Sequence, residues 1–208
     1  MSNAARFHTF SVRNEEGNET LQFTVPKRYT NVLFISAGAQ GAVVSACDTL
    51  TNTIVAIKKI HEPFQRSKKA LRAFREIVFL SSQDHPNIIK FLSVFTPQEN
   101  PEEFQDIYLV MEYVDYTLEK VVIGKVCLDH ETLSKFIYQT LCAVSHLHQQ
   151  GIFHRDLKPD NLVVNEQFEL KVLDFGFARA ISKGPAQQNT VYVVTRYYRA
   201  PEVVLKLE

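Results

Sequence analysis

Between Tyr29 and residue 113 the apolar residues come in short bursts, at 32–35, 43–47, 54–57, 91–95 and 107–113. Gly38 and Gly41 separate the first pair, and Asp48-Thr49-Leu50-Thr51-Asn52 the second. Runs of that length bounded by turn formers predict strands, the first three consecutive and antiparallel. One stretch breaks the rhythm. Over 68–81, Ala70, Leu71, Phe74, Ile77 and Val78 recur at helical spacing and predict one amphipathic helix. Beyond Tyr113 the period lengthens. Leu133, Phe136/Ile137, Thr140/Leu141, Val144 and Leu147 form a stripe, with Asp129 placed to cap the helix start and Gly151 its end. Short strands are expected at 162–164 and 171–173. The first 22 residues, polar and without periodicity, read as a mobile extension. The pattern predicts an α+β chain: an extension (1–22), a sheet-rich unit with one helix (23–113) and a more helical unit (114–208).

Composition adds little. Lys+Arg and Asp+Glu are both 23 in 208 residues, so bulk charge points to no nucleic-acid or membrane partner. No apolar run approaches the length of a bilayer span, and the N-terminus lacks the apolar core of a signal peptide. The three cysteines, Cys47, Cys127 and Cys142, are too scattered for a zinc site and read as reduced core thiols. These features place the chain in the cytoplasm, with nuclear access left open.

Four peptides carry candidate chemistry. Ile35-Ser36-Ala37-Gly38-Ala39-Gln40-Gly41-Ala42-Val43 places glycines between two strands, where a backbone can close over phosphates. Val55-Ala56-Ile57-Lys58 puts a lysine after a buried run, where it needs an anion; Glu76 on the next helix is a candidate partner. His154-Arg155-Asp156-Leu157-Lys158-Pro159-Asp160-Asn161 supplies a carboxylate able to accept a hydroxyl proton and an amide oxygen suited to a hard cation. Asp174-Phe175-Gly176 follows with a second oxygen ligand. Each acidic residue alone is explained as well by turn capping. Their order is not.

Glycine loop, VAIK, helix Glu, HRDLxxxN, DFG and Ala200-Pro201-Glu202 together resemble the protein-kinase signature over residues 23–208. The resemblance implies a bilobal kinase fold using ATP and Mg²⁺. By it, the loop from Ile35 to Val43 covers the phosphates, with Ala56 and Met111 lining the adenine pocket and Glu112 to Val114 as hinge. Lys58, anchored by Glu76, holds the α- and β-phosphates. Asp156 orients the substrate hydroxyl and takes its proton, Asn161 and Asp174 hold Mg²⁺, and Lys158 marks the serine/threonine class.

Thr190-Val191-Tyr192 ahead of Val193-Val194-Thr195-Arg196-Tyr197-Tyr198-Arg199 resembles the MAP kinases. Phe23-Thr24-Val25, Lys27-Arg28-Tyr29, Pro63-Phe64-Gln65, Val94-Phe95-Thr96-Pro97-Gln98 and Glu103-Phe104-Gln105-Asp106 resemble the stress-activated Jun N-terminal kinases among them. That likeness implies substrates with Ser/Thr-Pro sites, an upstream dual-specificity MAP kinase kinase, and phosphatases and scaffold docking peptides as partners. Phosphates on Thr190 and Tyr192 would each bring about −1.5 to −2 charges, needing arginines. Arg72, Arg75, Arg155, Arg179, Arg196 and Arg199 lie where the family gathers them.

Three departures stand out. Ser36 replaces the first loop glycine, which costs about 1–2 kcal/mol if the position is left-handed and nothing if it is extended, the expected case. Val191 stands where the Jun kinases carry proline. The chain stops six residues past Glu202, short of the helices that complete a kinase. The polypeptide is therefore expected to have little or no kinase activity alone, its alternative role being that of a binding or competitor protein.

Overall fold

Alternation of apolar and polar side chains builds the first sheet. The computed structural model describes residues 6–14, 17–38, 41–181 and 196–205. Strands β1 (Phe7–Arg13) and β2 (Thr20–Pro26) form an antiparallel hairpin. Then come β3 (Tyr29–Gly38), β4 (Gly41–Asp48), β5 (Thr53–His61), helix α1 (Ser67–Ser81), β6 (Phe91–Phe95) and β7 (Asp106–Glu112). The five strands β3 to β7 make one antiparallel sheet in the order β3-β4-β5-β7-β6. In β4 every second residue is buried, whereas β7 is buried from Asp106 to Met111, as a strand covered on both faces must be.

The hairpin corrects the sequence reading, which made residues 1–22 a mobile extension. His8, Phe10 and Val12 alternate with polar Thr9 and Ser11, and Val12, Phe23 and Val25 are buried in one core with Tyr29, Val44, Val55, Ile57, Tyr108 and Val110. The alternation is short and interrupted by the polar turn at Asn14, which hid it. Tyr108 anchors this core. Its ring stacks on Phe95 (4.9 Å, 2°), meets Phe23 edge-on, and its hydroxyl accepts from the Thr24 N–H (3.2 Å). Lys59 ties the same hairpin to the sheet, reaching the Gln22 carbonyl (2.9 Å) while pairing with Asp106 (3.1 Å).

Helix α1 forms where its period predicts, with another face inward. Ala73, Glu76 and Leu80 are buried, whereas Leu71, Phe74 and Val78 are exposed. A carboxylate sits in the middle of the buried face, so ranking residues by hydropathy picks the wrong side.

Clustering of the backbone divides the chain into Met1–Ala73 with Lys90–Tyr113, and Phe74–Ile89 with Val114–Glu208. The second unit contains β8 (Tyr116–Thr117), α2 (Leu118–Ile123), α3 (His130–Gln149), β9 (Ile152–Phe153), β10 (Leu162–Val164), β11 (Leu170–Val172), β12 (Arg179–Ala180) and α4 (Pro201–Leu205). Its sheets are small, β11-β10-β8 and β12-β9. Asp129 caps α3 by accepting from the Thr132 N–H (2.7 Å), a bond that holds its carboxyl below the ordinary range. Gly151, at φ 68°, ends the helix and donates to the His148 carbonyl. The buried side of α3 is Phe136, Gln139, Ala143 and Leu147; Leu133, Ile137 and Leu141 from the expected stripe are exposed. Cys127, expected in the core, is exposed. No helix among the described residues is long and apolar enough to cross a membrane.

Candidate active site

The first unit brings together the glycine hairpin and Lys58. Ser36 lies in β3 opposite Val43, Ala37 opposite Ala42, and Gly38 opposite Gly41; Ala39 and Gln40 fall outside the described residues. Ser36 has no positive φ, so serine costs nothing there. Gly41 is different: at φ 132°, a Cβ would lie 2.1 Å from the Lys59 carbonyl oxygen, and only glycine fits. Lys58 is buried on β5, between Val43 of β4 and Leu109 of β7. Ala56 pairs with Met111 on β7, and Met111 is buried. The Glu112 carboxylate accepts from the Lys90 N–H (2.7 Å), and Ile35 and Val114 are half-buried. Glu76 is buried on α1.

The second unit assembles the loop between β9 and β10. His154 is buried, its Nε2 donating to the Leu173 carbonyl (3.0 Å) and its Nδ1 accepting from the Asp156 N–H (3.3 Å). Both nitrogens are thus set for the neutral ring, and burial pushes its pKa down. Phe175 packs edge-on against this imidazole at 5.1 Å. Asp156 is buried too. Asn161 Nδ2 donates to both its carbonyl (2.7 Å) and Oδ2 (2.9 Å), and Lys158 Nζ stands 3.9 Å from Oδ2. The Leu173 N–H donates to the Asn161 carbonyl (3.0 Å), joining the loop to the backbone just ahead of Asp174.

Two residues here adopt the left-handed backbone conformation that favours glycine: Arg155 (φ 65°) and Asp174 (φ 66°). Each costs about 1–2 kcal/mol and persists because surrounding bonds fix it. Asp174 Oδ1 accepts from the Gly176 N–H (3.1 Å); Arg155 Nε donates to the Phe177 carbonyl (2.8 Å). The other end of Arg155 is buried, with Nη2 lacking a hydrogen-bond partner. Arg75 and Arg179 crowd it. Burial and mutual repulsion push the pKa values of Arg75 and Arg155 down. Three guanidiniums thus gather around a buried donor that has no hydrogen-bond partner.

The structure therefore gathers Asp156, Lys158 and Asn161 in the second unit, with Asp174 following Leu173, and places the glycine hairpin, Lys58 and Met111 in the first. Thr190, Val191 and Tyr192 lie outside the described residues, as do the side chains of Arg196 and Glu202. Sequence reading gave no role to Asp160, whose carboxylate is 3.4 Å from Lys158 and hydrogen-bonded to Glu119, an arrangement that raises the Glu119 pKa. Its only sequence signal is its place two residues after Lys158.

The sequence model of the protein kinase domain matches residues 29–208. The chain is 50% identical over 204 residues to "GLH-binding kinase 1" of Caenorhabditis elegans, covering 98% of this chain and 52% of that protein. It is 50% identical to "Stress-activated protein kinase JNK" of Suberites domuncula over 89% of this chain and 50% of the relative. For the Drosophila melanogaster protein of the same name the identity is 52%, over 88% and 48%. The chain spans about half the length of the curated relatives it matches.

Proposed function

The chain belongs to the protein kinase domain family and is related to the JNK-type MAP kinases; from that premise we propose that it transfers the γ-phosphate of ATP to serine or threonine followed by proline. The observation that carries this reading is the group of buried Asp156 and Asn161 with half-buried Lys158, bonded through the Leu173 N–H to the segment that ends in Asp174. Asp156 accepts the substrate hydroxyl proton as the oxygen attacks, and Lys158 neutralises charge beside it. Asn161 commits its amide nitrogen to Asp156, which leaves Oδ1 as its ligating atom. With Asp174 it offers two oxygen ligands, a set that would suit Mg²⁺. Bound Mg²⁺ would supply charge neutralisation on the phosphates. By the family likeness, Lys58 would hold the α- and β-phosphates, the hairpin from Ile35 to Val43 would cover them, and Glu112 and Val114 would bind adenine through the backbone.

Activation comes from phosphorylation of Thr190 and Tyr192 by an upstream dual-specificity MAP kinase kinase. The arginine group Arg75, Arg155 and Arg179 supports this, because a phosphate there would satisfy Arg155 Nη2 and relieve like-charge repulsion. Phosphatases and scaffold docking peptides complete the expected partners, in the cytoplasm and with nuclear access left open.

A second reading, a binding or competitor protein that holds nucleotide without transferring phosphate, is favoured by one observation. Leu133, Ile137 and Leu141 leave an apolar row of α3 exposed, at 48%, 55% and 61%. One assay separates the two. Protein phosphorylated at Thr190 and Tyr192 is given Mg·ATP and a Ser-Pro peptide, with Asp156→Asn as control. Transfer abolished by the substitution supports the kinase reading. Mg·ATP binding without transfer supports the second reading, and absence of nucleotide binding by folded protein contradicts both.

A further inference from the structure

Outside the active site, two imidazoles meet where the segment following α1 packs on α3. His85 and His146 lie with ring centroids 4.8 Å apart, inclined by 35°. Each is held in one neutral form by a donor aimed at the lone pair where a proton would add. The Asn87 N–H donates to His85 Nδ1 (3.1 Å). The amide nitrogen of Gln150 can only donate, so His146 Nε2 accepts (2.9 Å). A proton on either nitrogen must break the bond there. The charges facing His85 from the packed elements are His146 on α3 and Lys171 on β11, both positive when ionised. Gln83 and Gln150 extend the joint, the Gln83 amide donating to the Gln150 oxygen (3.2 Å).

This joint has a long reach. Asn87 Nδ2 donates to Gln139 Oε1 on α3 (3.0 Å) and to the Leu170 carbonyl (2.9 Å). The Val172 N–H donates to the Asn87 carbonyl, and the Ile89 N–H to the Val172 carbonyl (both 2.9 Å). Asn87 therefore ties α3 to β11, and β11 runs two residues later into Asp174.

We propose that the His85–His146 pair is an acid-sensitive latch: protonation breaks the Asn87 bond, releases residues 82–88 from α3 and loosens β11 ahead of Asp174. The sign follows from linkage. Burial first, then His146 and Lys171, push the His85 pKa below its ordinary value. Its contribution is thus present above about pH 6.5 and lost as pH falls through the folded value.

Hydrogen exchange of the protein, corrected for intrinsic rates, tests this at the amides of Asn87, Ile89 and Val172. Exchange there should rise several-fold between pH 7.5 and 5.5, since the bonded form loses its advantage as His85 takes up a proton. His85→Asn keeps an acceptor for the Asn87 N–H but takes no proton, so the three amides should become pH-independent. The Asp156 amide, bonded to the separate His154, should keep its own response. Equal protection of the wild type at both pH values overturns the latch, as does an unchanged pH response in the variant. If the variant does not fold, the wild type decides: loss of protection at the three amides that follows the NMR titration of His85 upholds the latch, and loss at a different pH overturns it.

Discussion

The core around Tyr108 and the loop around Asp156 are built on opposite principles. The first is aromatic and aliphatic packing: Phe23, Tyr29, Val44, Ile57 and Tyr108 are almost wholly buried, and few polar bonds cross between them. The second buries an aspartate, an asparagine and a histidine, and fixes them by hydrogen bonds and two left-handed residues. Packing tolerates many sequences of similar volume, whereas a buried polar network holds only if each member is satisfied. The stability of one region and the chemistry of the other should therefore respond to different substitutions.

The sharpest break is at the proposed proton acceptor. Asp156→Asn should lower phosphate transfer about 10²–10⁴-fold while leaving Mg·ATP binding intact, as read by peptide phosphorylation and calorimetry. Next comes the aromatic core. Phe23→Ala should cost about 3–5 kcal/mol in urea unfolding, with nucleotide affinity per folded molecule unchanged. A smaller effect is expected at Gln139, which accepts from Asn87 and the Leu170 N–H and donates to the Phe168 carbonyl. Gln139→Leu keeps the volume but strands those partners, costing about 1–3 kcal/mol. Smallest is Tyr108→Phe, which removes one bond to the Thr24 N–H and should cost about 1 kcal/mol. Were Gln139→Leu harmless and Tyr108→Phe severe, the contrast between apolar packing and buried polar networks would be reversed.

The same contrast explains what was legible. The strands β3 to β7 and the extents of α1 and α3 follow apolar periodicity and could be read in advance, whereas β8 and α2 are too short to show a period. The candidate residues follow motif order. The N-terminal hairpin was missed because two short alternations flank a polar turn. The inner face of α1 was missed because its centre is Glu76, a residue that hydropathy assigns to solvent. Neither the mutual approach of Arg75, Arg155 and Arg179 nor the His85–His146 contact has a local signature, since each depends on elements far apart in sequence.

The most direct test is calorimetric titration of the protein with ATP, with Mg²⁺ and with excess chelator, alongside Asp174→Asn. The account predicts binding that Mg²⁺ strengthens at least about tenfold, a coupling of about 1.4 kcal/mol, and a gain that disappears in the variant. Binding equally tight without Mg²⁺, or a Mg²⁺ effect that survives Asp174→Asn, would contradict the assignment of Asp174 to the metal.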